Sequence, residues 1–266
     1  MSRRKRNQNK NPSASDMTQA LMEKAVDLHG TGDLDGAAGI YLEILKNDPG
    51  NPIALHYHGV LQFQRGDHKL AKTLISQALE IAPDYADAHY NLGKVHHESG
   101  EIDTAISCYE TAISFESESP ETYNQLGLAH EQKGSLSAAE KSYESALEHE
   151  PKFLDALNNL GNVLRLLERP EDAIKQFQRA IEIDSNFMEA HHNLGNSYQD
   201  LSLLDKATDS YLRALSIDPD FKESQKNLGG CLLGCGQYRE GLHYLRKACG
   251  VIEFTLGDYP KYQLVR

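Results

Sequence analysis

Apolar and small residues recur along this chain with a helical period, and the whole pattern then returns every 34 residues. Residues 86–119 show one copy, in which two apolar stripes lie on either side of Gly100. Apolar residues spaced three and four apart predict one buried face on each of two short helices. Because neither helix could bury that face alone, the fixed period predicts a stack of helix pairs in which neighbours cover one another.

The register of the repeat begins at Thr18 and continues without an insertion. It predicts a basic, disordered segment at 1–17 and an irregular tail at 256–266, on either side of seven repeats. The predicted repeats are 18–51, 52–85, 86–119, 120–153, 154–187, 188–221 and 222–255.

Small residues occupy fixed positions of the repeat, with glycine at the eighth position and alanine at the twentieth in six repeats each. A helix pair that packs closely needs a residue with little side chain where the backbones approach, and this offsets the roughly 1 kcal/mol that glycine costs in a helix. The eighth-position glycines are Gly59, Gly93, Gly127, Gly161, Gly195 and Gly229. The twenty-fourth position is aromatic in five repeats: Tyr41, Tyr109, Tyr143, Phe177 and Tyr211.

The fourth repeat shows the full signature, with the pair Leu126-Gly127 followed by Ala139, Tyr143, Ala146 and Pro151. This signature resembles the tetratricopeptide repeat family, and the resemblance covers residues 18–255. It implies an all-α fold: a right-handed superhelical solenoid of seven stacked helix-turn-helix repeats. It also implies a concave groove lined by the first helix of each repeat.

The first helices leave a stripe at repeat positions 2, 5, 6, 9, 12 and 13 without a partner helix, as the helical period requires. Amides fill the sixth position in five successive repeats. Since an amide offers both donors and an acceptor, this ladder suits the main chain of an extended peptide. The alternative is that the amides face solvent or bond locally to the backbone. The candidate groove residues are Asp87, Tyr90, Asn91, Lys94, Asn124, Gln125, Asn158, Asn159, Asn162, Arg165, His192, Asn193, Asn196, Lys226 and Asn227.

On the binding interpretation, alanine at Asn159, Asn193 and Asn227 is expected to weaken peptide binding without lowering the melting temperature. The ladder is similar to the asparagine ladder in the tetratricopeptide superhelix of protein O-linked N-acetylglucosamine transferases, which holds substrate polypeptides by their backbone. This chain departs from it at Gln125, and at Glu23 and Tyr57 in the first two repeats.

Charge restricts the partners. The net charge is -12, and because the first ten residues carry five positive charges and no acidic residue, the remainder carries -17. Such a field disfavours nucleic acid and anionic lipid as partners of the repeats and favours basic or neutral peptides. No apolar run approaches the roughly 18 residues of a membrane span.

Residues with catalytic or metal-binding chemistry do not form a recognisable site in the sequence. Consecutive histidines, as at His96 and His97 or His191 and His192, point about 100° apart on a helix and cannot chelate one ion from one face. The glycines follow the repeat and form no phosphate loop. We therefore expect no enzymatic activity, no cofactor and no metal. The four cysteines, Cys108, Cys231, Cys235 and Cys249, lack disulfide spacing and are expected to be reduced thiols in a cytoplasmic protein.

Two functions remain open from the sequence. The first is a non-catalytic scaffold that binds extended, basic or neutral peptide segments in an acidic, amide-rich groove. The second is a substrate-recruiting module of a glycosyltransferase or another bacterial-type transferase, truncated or acting with a separate catalytic chain. The apolar C-terminal segment could fold back as a cap, pair with another copy of the chain, or begin a further domain.

Overall fold

The computed structural model describes residues 14–115, 118–250, 252–255 and 261–264. These ranges contain fourteen α-helices and two short β-strands. The first eight helices are α1 (Ala14–Gly30), α2 (Leu34–Asn47), α3 (Pro52–Gln64), α4 (His68–Ile81), α5 (Ala86–Glu98), α6 (Ile102–Phe115), α7 (Pro120–Gln132) and α8 (Leu136–His149). The remaining elements are α9 (Leu154–Leu166), α10 (Pro170–Ile183), α11 (Met188–Asp200), α12 (Leu204–Ile217), α13 (Lys222–Gly234), α14 (Tyr238–Cys249), β1 (Ile252–Thr255) and β2 (Lys261–Leu264).

Each odd-numbered helix packs against the even-numbered helix that follows it, which confirms the predicted all-α fold of helix pairs. From the second repeat onward, the first helix begins at the residue where the sequence places the start of the repeat. The local reason is visible at α3, where the Asn51 side chain accepts a hydrogen bond from the Ala54 amide at 3.0 Å and Pro52 occupies the first turn. Helix α1 begins earlier than expected, at Ala14, while residues 1–13 of the expected basic tail lie outside the described residues.

The first helix of each pair ends in a left-handed residue that reverses the chain. Gly100 adopts a φ of 77° here. Two repeats carry Glu168 and Ser202 at this position, and both still adopt a φ of 58°. The hydrogen bond from the Arg169 amide to the Leu164 carbonyl, 2.9 Å long, closes the turn at Glu168 as glycine would. The turn therefore forms even where the residue at this position is not glycine.

The helices form two compact units, of which the first contains α1–α6 and the second contains α7–α14 with the two strands. In the second unit the largest core cluster joins side chains of four successive helices, including Tyr143, Leu157 and Phe177, all fully buried. In the first unit Tyr41 and Tyr109 occupy the same repeat position and are also fully buried. The core of each unit thus runs along its stack of helix pairs.

The twenty-fourth-position ring lies directly on the eighth-position glycine of the same repeat. A methyl group built on Gly161 would stand 2.5 Å from Phe177, and one on Gly195 would stand 2.5 Å from the Tyr211 ring. The sequence predicted a close approach of two backbones, whereas in these repeats the nearest group is the aromatic side chain. The glycine is required because the ring takes the space that its side chain would occupy.

The strands form a two-stranded antiparallel sheet in which Ile252 pairs with Leu264. The sequence predicts an irregular tail over 256–266, but residues 261–264 form β2 and pair with β1. Strands of four residues are too short for their alternation to be distinguished from a coil, and the pairing decides their structure. Among the residues described, no helix combines the length and apolarity needed to cross a membrane.

Candidate functional site

The first helices of the second unit, α7, α9, α11 and α13, carry the largest set of predicted groove residues. Their amides are mostly half-buried, and Asn124 alone is almost fully buried, with 5% of its surface exposed. We call this set the amide surface. It consists of Asn124, Gln125, Asn158, Asn159, Asn162, Asn193, Asn196 and Asn227.

Within the amide surface, sixth-position asparagines donate hydrogen bonds to the preceding repeat. The Asn159 Nδ2 donates to the Asn124 Oδ1 at 3.1 Å, and the Asn193 Nδ2 donates to the Asn158 Oδ1 at 2.9 Å. Both bonds join residues 35 apart, from the sixth position of one repeat to the fifth position of the repeat before it. The ladder is therefore a chain of hydrogen bonds that links repeats to one another.

The last junction uses a different acceptor. The Asn227 Nδ2 donates to the Asn196 Oδ1 at 2.8 Å, and the hydroxyl of the fully buried Tyr211 donates to the same oxygen at 2.8 Å. Here the fifth position is His192, whose Nδ1 lies 2.8 Å from the Ser224 hydroxyl. At this junction His192 is engaged with Ser224, and the Asn227 amide bonds to the ninth-position Asn196 instead.

The first unit repeats the 35-residue bond with a histidine as acceptor. The Asn91 Nδ2 donates to the His56 Nε2 at 3.0 Å and also to the Asp87 carbonyl at 3.0 Å. With its Nε2 accepting, the neutral His56 ring carries its proton on Nδ1 and donates to the Tyr85 hydroxyl, 3.0 Å away. Desolvation lowers the pKa of His56 to about 4, so the ring is neutral at physiological pH.

These bonds correct the expectation for the alanine variants. Asn159, Asn193 and Asn227 each donate a hydrogen bond between repeats, so their removal must affect stability as well as any binding. They also argue against one part of the alternative interpretation, that the amides bond locally to the backbone. Among the sixth-position amides of the described residues, only Asn91 forms such a bond.

Gln125 and Asn162 are different, because neither side chain forms a hydrogen bond with any residue that the structure describes. Both are half-buried on the first helices of the second unit. Their amide groups therefore remain available to a ligand, while their neighbours are already engaged.

Among the charged groove candidates, Arg165 is already paired, whereas Lys226 and Asp87 are exposed. The Arg165 Nε donates to the Asp200 carboxylate at 2.5 Å, so this arginine is paired within the second unit. Lys226 is exposed. In the first unit, the Lys94 ammonium lies 5.6 Å from the centre of the Tyr90 ring, and Asp87 is exposed.

Exposed carboxylates occupy the second position of five successive first helices. An acid in the first turn interacts favourably with the positive end of the helix dipole, which gives each one a structural role. Four of them line the second unit, where they set a negative potential beside the amide surface. The row is Asp87, Glu121, Asp155, Glu189 and Glu223.

Several of the chemically reactive residues are engaged in packing or in local bonds. Within the described part of the chain, no group of three or more histidine, cysteine, aspartate or glutamate side chains could hold a metal ion. His96 is half-buried and bonds to Glu101, whose pKa is lowered by Lys72 and by His96. The four cysteines are free thiols, and burial raises the pKa of both Cys108 and Cys231 to about 11, which keeps them protonated at neutral pH.

Sequence reasoning missed the partners of the amides. His56 accepts a hydrogen bond from Asn91, and Ser224 is hydrogen-bonded to His192. The Tyr211 hydroxyl donates a hydrogen bond to Asn196. Ser224 stands at the third position of its repeat and Tyr211 at the twenty-fourth. For His56, the signal was present in the sequence as polar residues at the fifth and sixth positions of successive repeats. Only the stacking of the first helices shows that these two positions meet across a repeat junction.

Stability should depend on pH through two histidines of these junctions, the buried His56 and the half-buried His192. Desolvation lowers the pKa of His192, as of His56, from 6.5 to about 4, with Glu223 opposing and Arg165 adding to the shift. Because the folded-state pKa lies below the unfolded one, the stabilisation is complete above pH 6.5 and is lost as the pH falls towards 4. Each histidine should contribute up to about 1.4 kcal/mol per pH unit to the slope of the unfolding free energy in this window.

Urea unfolding at pH 7.5, 6.5, 5.5 and 4.5 measures this slope. The matched variant is His192→Asn, which places at the fifth position the residue found there at Asn124 and Asn158. It should flatten the profile between pH 6.5 and 4.5 relative to wild type. An unchanged profile would show that His192 is not desolvated in the folded chain.

Comparison with known proteins agrees with this architecture. Models described as tetratricopeptide repeats or TPR repeats match residues 59–100, 96–134, 120–153, 142–175, 161–202 and 189–221, which together span more than half of the chain. No curated protein sequence matches the chain at a significant level.

Among solved structures, a crystal structure of MamA is 26% identical with a TM-score of 0.56, covering 59% of this chain and 92% of MamA. YrrB, described as a TPR protein with an unusual peptide-binding site, is 25% identical with a TM-score of 0.55, covering 65% of this chain and 90% of YrrB. The Cut9-Hcn1 hetero-tetramer of the APC/C shares the fold, with 21% identity and a TM-score of 0.65 over 84% of this chain and 44% of that one. None of these comparisons supports a specific likeness to O-linked N-acetylglucosamine transferases. With the matched repeats and the helix pairs in agreement, the chain belongs to the tetratricopeptide repeat family.

Proposed function

We propose that this chain is a non-catalytic protein-interaction module whose amide surface holds an extended peptide segment by its main chain. The observation that carries the proposal is the state of the amides in the second unit. Asn159, Asn193 and Asn227 are fixed by bonds between repeats, whereas Gln125 and Asn162 retain unused donors and acceptors beside them. The likeness to YrrB, whose description names a peptide-binding site, supports the same role.

A surface fixed before binding favours a main-chain ligand. An extended peptide presents alternating N–H and C=O groups, and a side-chain amide can donate to one and accept from the other. Because the neighbouring asparagines are already held by their hydrogen bonds, only Gln125 and Asn162 lose side-chain freedom on binding. Recognition of the main chain makes the surface tolerant of the peptide's side chains.

Charge selects among the peptides that fit. In the second unit the exposed carboxylates Glu121, Asp155, Glu189 and Glu223 stand on the first turns of the helices that carry the amides. Arg165 is already paired with Asp200, so it does little to offset them. Peptides with lysine or arginine beside the bound segment are therefore favoured, mainly through faster association.

The test is selection of a random dodecapeptide display library on the full chain, followed by fluorescence anisotropy with the selected peptides. Selected peptides should be rich in lysine and arginine and poor in aspartate and glutamate, with affinities that weaken as salt is added. The variant Gln125→Ala with Asn162→Ala should weaken binding about tenfold, since it removes two hydrogen bonds to the peptide.

The matched control is Gln178→Ala with Asn186→Ala, which removes two exposed amides of the same unit outside its first helices. It should leave the affinity unchanged. Failure of the library to yield binders, or equal losses in both double variants, would contradict the proposal.

A further inference from the structure

A cavity of about 620 Å³ opens in the first unit, where α1 faces the segment that joins α2 to α3. It is separate from the amide surface, which belongs to the second unit. Its size lies within the range of pockets that take small molecules or single side chains of a partner. Its lining residues are Thr18, Gln19, Met22, Asp48, Asn51 and Ile53.

The apolar part of the lining consists of Met22, which contacts the core, and Ile53, which is exposed. Met22 packs against the core cluster that contains Tyr41 and Leu61, so its position is held by buried neighbours. Ile53 stands on the first turn of α3 with 45% of its surface exposed. The cavity thus presents apolar surface that its own chain leaves in solvent.

The polar part of the lining is dominated by one carboxylate. Asp48 caps the end of α2, where the helix dipole is negative, and its side chain is exposed. The Asn51 Nδ2 donates to the Asp48 Oδ2 at 3.2 Å, which orients the carboxylate. No lysine or arginine of the described residues forms a salt bridge with Asp48. Among the described residues, the carboxylate at the rim of the cavity therefore has no cationic partner, and its charge is complementary to a cation.

We propose that this cavity binds one leucine-sized apolar side chain of a peptide, with an adjacent lysine or arginine directed at Asp48. The apolar group would contact Met22 and Ile53, and the cation would pair with the carboxylate that Asn51 holds. This inference rests on the proposed function only in that its ligand is also a peptide segment. It assigns recognition of a peptide side chain to the first unit, whereas the amide surface of the second unit is proposed to bind the peptide main chain.

The experiment uses the full chain labelled with ¹³C at the methionine and isoleucine methyl groups, so that Met22 and Ile53 report directly. The probes are acetylated glycine-serine decapeptides with a central Leu-Lys pair, and matched peptides with Leu-Glu or Ser-Lys. The Leu-Lys peptide should shift both methyl resonances in a saturable manner, and the other two should bind at least tenfold more weakly. Asp48→Asn, which keeps an acceptor for Asn51, should weaken the Leu-Lys peptide about tenfold and remove its preference over Leu-Glu.

Two outcomes would overturn the inference: no shift at Met22 and Ile53 with the Leu-Lys peptide, or equal affinity of that peptide for wild type and Asp48→Asn. The variant Gln125→Ala with Asn162→Ala should leave these shifts unchanged. Failure at the cavity is thereby distinguished from failure of the proposed function, which is decided by whether that double variant weakens binding of the peptides selected from the library.

Discussion

Replacing Gly161 with valine should lower the free energy of unfolding by about 3 kcal/mol, the upper end of the cost of overpacking a core. A methyl carbon at this position would stand 2.5 Å from two atoms of the Phe177 ring, and that ring is fully buried. The ring has no free space to enter, so the helix pair of the fifth repeat must separate. Urea unfolding followed by circular dichroism should show a lower midpoint.

The matched control is Gly230→Val, because Gly230 is also in a first helix of the second unit but has no atom within 4 Å of an added methyl group. Valine is no worse than glycine in a helix, so the control should be as stable as wild type or slightly more stable. Equal losses in the two variants would show that the contact with the Phe177 ring does not explain the cost of valine at Gly161.

The triple variant Asn159→Ala, Asn193→Ala and Asn227→Ala should lose about 3 kcal/mol of stability, since three hydrogen bonds between repeats are removed at roughly 1 kcal/mol each. Its melting temperature should fall, and the loss should appear in the second unit, where all three bonds lie. If the proposed function holds, peptide affinity falls as well, because the surface is no longer fixed.

A double-mutant cycle isolates one of these bonds. Asn124→Ala and Asn159→Ala should show a coupling free energy of about 1 kcal/mol, because each removes one partner of the same bond. By contrast, Gln125→Ala with Asn162→Ala should change stability by less than about 0.5 kcal/mol, as expected of surface residues without partners. If the triple asparagine variant had the same melting temperature as the wild type, the bonds between repeats would contribute no net stability.

These two sets of variants separate two roles that lie on one surface. The asparagines bonded between repeats stabilise the stack, and the unbonded amides beside them are the groups left for a ligand. A loss of binding in the bonded set alone therefore cannot identify the contact residues. The comparison of both sets, each with its stability measured, does so.

Much of the fold could be predicted because each helix pair repeats one local rule. The start of α3 follows from the capping side chain of Asn51 and from Pro52, and the end of α5 follows from Gly100. These are short-range interactions, so they can be read from neighbouring residues. Glu168 and Ser202 show the limit of that reading, because both adopt the left-handed conformation although neither residue is glycine.

The sequence by itself determined the repeat length, the helix pairs, the glycine and aromatic positions, and the placement of amides on the first helices. It could do so because these features depend on helical periodicity within 34 residues. Only the tertiary structure decided that Phe177 lies on Gly161, that Asn159 donates to Asn124, and that Asp48 stands at the rim of a cavity. Each of these joins separate elements, and the contact depends on how those elements stack.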